Sequence, residues 1–207
     1  MKRNIFFVVS LIFFSLSAYS QAVTLSVEQK EAISKRAQEK VSQMGDYIEY
    51  MANKEYAVDK RKYYRKKGLN LFIGKGYEYE EGGVAIDGVK METTSLNRKS
   101  TSTQLVRAYF SRLINLNYDK VVIQGTDVID IKVGHLKRVG DNEFTCTCYY
   151  VQKFCGYKDG KPIYCDRTEK SVSCHIYAEE VETDGGGTGI EFILMLGDVY
   201  AGETTKL

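Results

Sequence analysis

The strongest constraint on the fold lies near the C-terminus, where residues 143–155, 163–178 and 190–200 form three long runs rich in β-branched and aromatic side chains. Between them stand only the turn sequences Lys158-Asp159-Gly160-Lys161 and Asp184-Gly185-Gly186-Gly187. Such short connections join antiparallel neighbours, whereas a parallel crossover needs a dozen residues or more. The runs are therefore expected to form an antiparallel meander, and the rest of the chain must cover one of its faces.

The five cysteines set a register for the first two runs. Cys146 with Cys174, and Cys155 with Cys165, have residue numbers that add to the same total. In an antiparallel hairpin, opposed residues share a constant sum, so one register places both pairs across from each other. That register centres a three-residue Asp159-Gly160-Lys161 turn on Gly160, where glycine tolerates positive φ. Opposed Cα atoms lie about 4.5–5.5 Å apart, within disulfide range. The expected bonds are Cys146–Cys174 and Cys155–Cys165, leaving Cys148 as the free thiol; the alternative is unpaired core cysteines. The intervals between cysteines match no common zinc module, so no metal is expected.

Ahead of the meander the period is helical. Ser26 and Gln29 form a capping box, and Ile33, Ala37, Val41, Met44, Ile48 and Met51 recur at steps of three and four. This predicts a helix over 27–52. A second helix is expected over 55–73, ended by Gly74-Lys75-Gly76, and a glycine-rich loop over 81–88. A first strand is expected over 89–96, with Val89, Met91 and Thr93 on one face. Thr101 and Gln104 suggest another capping box, opening a third helix over 102–116 that carries Leu105, Tyr109, Leu113 and Leu116. Strand patterning then runs over 119–200.

Helix, helix, strand, helix, meander: this order resembles the nuclear transport factor 2-like superfamily. The fold implied is a single α+β domain with N-terminal helices packed on a strongly curved antiparallel sheet. A plain cystatin-like helix on a sheet is the second expectation. Cystatin inhibition needs a Gln-x-Val-x-Gly hairpin, which Gln124-Gly125-Thr126-Asp127-Val128 does not supply. The superfamily implies two further features: a homodimer through the outer sheet face, and, in its enzymes, Asp, His or Tyr inside the cone for proton transfer.

The N-terminus reads as an export signal. Lys2 and Arg3 precede an apolar run over 5–16, and Ala18-Tyr19-Ser20 offers small residues for cleavage before Gln21. Twelve helical residues span about 18 Å, short of a hydrocarbon core of about 30 Å. Cleavage of 1–20 leaves residues 21–207 as one domain, periplasmic or extracellular, with no membrane span. The whole chain has 29 Lys+Arg against 27 Asp+Glu. The leader takes two bases and no acid, so the remainder is neutral and has no global attraction for nucleic acid.

Among local features, Lys60, Arg61, Lys62, Arg65, Lys66 and Lys67 form a basic patch on the second helix. Eight residues of helix wrap more than two turns, so the charges encircle the helix and a solvated surface is expected. An anionic surface polymer or a lipid headgroup is the partner such a patch would otherwise suit. Asp130, His135 and Tyr109 are the candidate catalytic set if the cone holds an enzyme. No Gly-x-Ser-x-Gly, His-Glu-x-x-His or Walker-type run occurs, and no cofactor is implied. The leading expectation is an exported, non-catalytic binding or interaction domain for an unidentified small ligand or protein partner. The alternatives are a proton-transfer enzyme of isomerase or dehydratase type, or a structural component of a cell-envelope assembly.

Overall fold

The computed structural model describes residues 24–97, 100–182 and 186–207. The expected leader, 1–20, and the first two residues of the final glycine-rich turn lie outside the described residues. Helix α1, Val27–Ala52, opens with the expected capping box: Gln29 N donates to Ser26 Oγ at 3.2 Å, and Ser26 N donates to Gln29 Oε1 at 2.8 Å. Its six stripe residues are all buried. Gly45 stays small because α1 meets Thr126 there; an added Cβ would lie 2.6 Å from the Thr126 hydroxyl.

Helix α2 covers Val58–Leu69, shorter at both ends than the expected 55–73. Leu71, Phe72 and Ile73 leave the helix because the last strand, β10 (Thr188–Lys206), competes for this stretch of backbone. Leu196 N donates to Leu71 O at 2.8 Å, and Phe72 bridges Leu196 in parallel. A 3₁₀ turn, Ile73–Gly76, follows, with Gly74 and Lys75 in left-handed conformation. With no apolar stripe, α2 is held by other means. Arg61 is buried and its Nη1 donates to Ile114 O at 2.7 Å. Tyr64 stacks among α1 and loop tyrosines, with ring centroids 4.7 Å from Tyr50 and 5.8 Å from Tyr56. The six-residue basic patch is thus divided: Arg61 belongs to the interior, Lys60 lies 4.2 Å over the Tyr56 ring, and Lys62 pairs with Asp59 at 3.5 Å.

Residues 81–88, expected as a loop, include part of a hairpin of β1 (Tyr79–Glu81) and β2 (Val84–Ile86), turned by Gly82-Gly83, both at positive φ. Strand β3 (Lys90–Thr93) then pairs antiparallel with β4 (Ser102–Leu105). The third helix, expected from 102, starts instead at Val106. Ser102–Leu105 are drawn into the sheet by pairing with β3, so Thr101 and Gln104 form no capping box. Helix α3 is Val106–Ile114, and its first amide donates to Val89 O at 2.8 Å.

The remaining strands are β5 (Lys120–Gln124), β6 (Lys132–Val133), β7 (Lys137–Arg138), β8 (Glu143–Lys158), β9 (Lys161–Glu182) and β10 (Thr188–Lys206). The large sheet runs β4-β3-β10-β9-β8-β5, with β6 and β7 also along β8. The three long strands form the antiparallel meander, but β3 joins β10 in parallel, so the sheet is mixed. Bulges after Leu196 and Ala201 bend β10. In the first bulge Asp198 Oδ1 accepts from Lys90 N at 2.7 Å, in place of a ladder bond. Helices α1 and α3 pack on the inner face of the curved sheet, giving the α+β architecture expected.

The hairpin register agrees with the cysteine arithmetic: Cys146 opposes Cys174 and Cys155 opposes Cys165. Cys155 and Cys165 are bonded, with Cα atoms 4.2 Å apart. The other expected bond is not formed. Cys146, Cys148 and Cys174 are all buried thiols. All three point to the inner face, and Cys174 contacts the diagonal Cys148, with 3.7 Å between sulfurs. The turn also differs from expectation. Asp159-Gly160 make a two-residue turn, both residues at positive φ, and the odd residue is absorbed as a bulge after Gly156. Among the described residues no helix is long and apolar enough to cross a membrane.

At the end of β5, Gly125 has φ +80°, and an added Cβ would sit 2.1 Å from Val151 O. Gly125→Ala combines a strained backbone with a clash against main chain. It is expected to lower stability by about 2–4 kcal/mol, read as a lower urea midpoint with an unchanged slope.

Candidate functional site

Strand alternation builds the site. On β9 the inward residues, in order, are Asp166, Thr168, Lys170, Val172, Cys174, Ile176 and Ala178; on β8 they are Phe144, Cys146, Cys148, Tyr150, Gln152 and Phe154. One end of this inner face is apolar and packs under α1. The other end is polar: Lys170 opposes Tyr150, Thr168 opposes Gln152, and Asp166 opposes Phe154.

Helix α3 stands above the polar end and lines one side of a half-open cavity of about 220 Å³. Tyr109, Arg112 and Leu113 of α3, with Leu116 and Tyr118 just after it, form one wall. Gly156 lets Tyr118 approach, since an added Cβ would meet its ring at 2.6 Å. The rings of Tyr118 and Tyr164 each meet Phe154 edge-on at 6.1 Å, making an aromatic side to the pocket. Opposite lies the polar floor. This volume falls below the 300–1,000 Å³ typical of pockets for drug-sized ligands, so it suits a compact molecule.

Asp166 is only 4% exposed and accepts a hydrogen bond from the Tyr164 hydroxyl. Tyr164 is in turn fixed by Leu96 N at 3.1 Å and Ser95 Oγ at 3.0 Å. Burial raises the Asp166 pKa above its ordinary 3.8, and this outweighs the opposing pull of Tyr164 and Lys170. Lys170 crosses from β9 to β3, where its Nζ donates to Glu92 O at 2.8 Å. Burial lowers its pKa to about 8, against the opposing pull of Asp166 and Glu92. Tyr109 is pushed up to about 12, by burial first and Asp166 second, so it stays a hydroxyl donor at neutral pH. Thr168 and Thr204 share a 2.8 Å hydrogen bond beside the floor.

Of the expected catalytic set only Tyr109 lines this cavity. Asp130 ends a 3₁₀ turn (Val128–Asp130), and His135 lies between β6 and β7; both are exposed. β6 and β7 pair with the Phe144–Tyr149 half of β8, beside the apolar end of the inner face and away from the pocket. The second histidine, His175, has Nδ1 3.6 Å from Glu81 Oε1, also outside the pocket. Asp166, Lys170, Tyr164, Thr168 and Gln152 were absent from the expected set. Their signal was phase: polar residues keeping step with the apolar inward positions of the same strand. Among the described residues no group of His, Cys, Asp and Glu is arranged to hold a metal ion.

No protein-family model and no curated protein matches the sequence. Among solved structures, the chain is similar to a protein from Novosphingobium aromaticivorans DSM 12444 provisionally described as a scytalone dehydratase. The similarity covers 87% of this chain and 91% of that one, at 12% identity and a TM-score of 0.38.

The lowered Lys170 pKa carries a stability consequence. Below about pH 8 the amine is charged both folded and unfolded, and its burial penalty is fully present. Between about 8 and 10.5 the folded protein releases a proton that the unfolded chain retains, so Lys170 adds stability as pH rises. Urea unfolding of the parent and Lys170→Met across this range should show their difference narrowing with rising pH. A constant difference would place the amine in water.

Proposed function

We propose that this chain is an exported small-ligand domain that holds a compact polar molecule in the cavity between α3 and the polar end of the inner face. The observation carrying this reading is the division of one half-open pocket into an aromatic and aliphatic wall (Tyr118, Phe154, Leu113, Leu116) and a hydrogen-bonding floor (Asp166, Thr168, Lys170). A core-filling region has no use for ionisable groups, because burying a charge costs several kcal/mol unless something compensates. The layout suits a ligand with a planar apolar body and at least one oxygen. The leader at 1–20 and the Cys155–Cys165 bond are both in keeping with an oxidising compartment.

A second reading is supported by a separate observation. Burial moves Asp166 up and Lys170 down, so their pKa values approach each other. Groups tuned toward neutrality serve as general acid and base. In this reading the pocket transfers protons on its ligand, as an isomerase or dehydratase does.

Ligand-observed NMR with a panel of small phenols and cyclic enols tests the first reading. Binding should weaken at least tenfold in Leu116→Trp, which fills the cavity, and in Asp166→Asn, with circular dichroism unchanged. Binding that both variants leave intact would place the ligand elsewhere. Deuterium uptake at the α-carbon of a bound cyclic ketone, lost in Asp166→Asn, is the result expected of proton transfer. The intact mass of protein recovered from its native source should correspond to a chain starting at Gln21.

A further inference from the structure

We propose that Lys170 is a nucleophile that condenses with the carbonyl carbon of a small aldehyde or ketone seated in this cavity, with Asp166 moving the protons. The proposal rests on the small-ligand reading and names its substrate class.

The surroundings of Lys170 carry the argument. A lysine that serves only structure is usually paired with a carboxylate or left in water. Among the described residues Lys170 belongs to no ion pair, and its Nζ has one hydrogen bond, to the neutral carbonyl of Glu92. A neutral amine keeps that bond through one N–H and retains its lone pair. The Glu92 carboxylate is engaged elsewhere, since its Oε2 accepts from Ala201 N at 3.1 Å. Glu169, next to Lys170 in the strand, is exposed on the outer face, and the next acid on the inner face is Asp166, four residues away, which also lines the cavity. Its Oδ2 is held by Tyr164, which fixes the carboxyl group. A pKa of about 8 leaves about a tenth of the amine neutral at pH 7, enough to initiate attack. Desolvated lysines of this kind form Schiff bases with carbonyl compounds.

The step balances without an oxidant or a reductant. The Nζ lone pair forms a bond to the carbonyl carbon, whose π electrons move to oxygen. One proton leaves nitrogen and one reaches that oxygen, giving a carbinolamine. Asp166 in its acid form then protonates the hydroxyl, the C–O bond breaks, and water departs as the nitrogen lone pair forms C=N. Loss of a further proton from nitrogen gives the neutral imine and can return Asp166 to its acid form. The net change is amine plus carbonyl to imine plus water.

The probe is 4-hydroxybenzaldehyde with cyanoborohydride at pH 7, followed by peptide mapping of the intact folded protein. 4-Hydroxybenzyl alcohol is the carbonyl-free control for reversible binding, and 4-hydroxybenzoate is the anionic control. Lys170 should be labelled at least tenfold faster than the exposed Lys60, Lys62, Lys66 and Lys67. At saturating aldehyde, where weaker binding no longer limits the rate, Asp166→Asn should still slow labelling at least tenfold while the site remains Lys170. Lys170→Arg should take no label at position 170, with the surface lysines labelled at the parent's rate. If the alcohol binds but label spreads evenly over the surface lysines, the condensation is overturned and the small-ligand reading stands. If only the benzoate binds, and does so through Lys170 without an adduct, the lysine is an anion anchor and the proposal is likewise overturned. If neither probe nor control binds, the pocket reading fails and the proposal with it. The wild-type mapping decides the matter even if a variant fails to fold.

Discussion

Everything in this molecule hangs on the pairing of β8 with β9. From Glu143 opposite Tyr177 to Gly156 opposite Tyr164 the two strands keep one register. Side chains alternate with a period of two, so a slip of one residue would exchange the faces. Val172, Cys174 and Ile176 would then face solvent, and Asp166, Thr168 and Lys170 would leave the cavity. The Cys155–Cys165 bond lies on the outer face, immediately behind Tyr164 and Asp166, and ties the register at the end where no apolar core supports it. At the other end the apolar side chains beneath α1 do the same work through burial.

This division explains why a pocket exists at the end it does. α1 is long and covers the apolar half of the inner face with a continuous stripe. α3 is short; its Val106 and Phe110 pack into the core, Phe110 against Gly68 of α2, while Leu113 forms part of the pocket wall. Tyr109 and Arg112 are left facing a floor of polar residues. The sheet is too wide for its helices to fill, and the unfilled part is the one lined with ionisable groups. Where buried positions break the rule of apolar interiors, function is the usual compensation. The tension at Asp166 and Lys170 is of that kind: both give up hydration, and among the described residues neither has a direct ion-pair partner.

The basic helix shows the opposite outcome. Six cations in eight residues looked like a surface feature, yet Arg61 is turned inward to cap the end of α3 at Ile114. Lys60 lies on an aromatic ring instead of extending freely. A helix without an apolar stripe is held by one buried guanidinium, a cluster of tyrosines and the close approach that Gly68 allows to Phe110. Tyrosine is well suited to this, since its ring packs while its hydroxyl remains hydrated.

The sequence alone was enough for α1, the meander and the hairpin register, because each rests on a local repeat: 3.6-residue periodicity, short turns, and numbering that opposed cysteines must share. It misplaced the ends of α2 and α3, since Leu71, Phe72 and Ser102–Leu105 answer to strands far away in the chain, and local propensity has no access to those partners. The candidate site divided in the same way. The inward phase of Asp166, Thr168 and Lys170 was already implicit in the register that the cysteines defined. What the register could not supply was the position of α3, which decides whether inward polar residues are buried in contact or left around a cavity. Asp130 and His135 were attractive for their chemistry, but β6 and β7 pair with the far half of β8 and carry them away. Local periodicity determined the faces; only the packing of distant elements decided which part of the inner face stayed open.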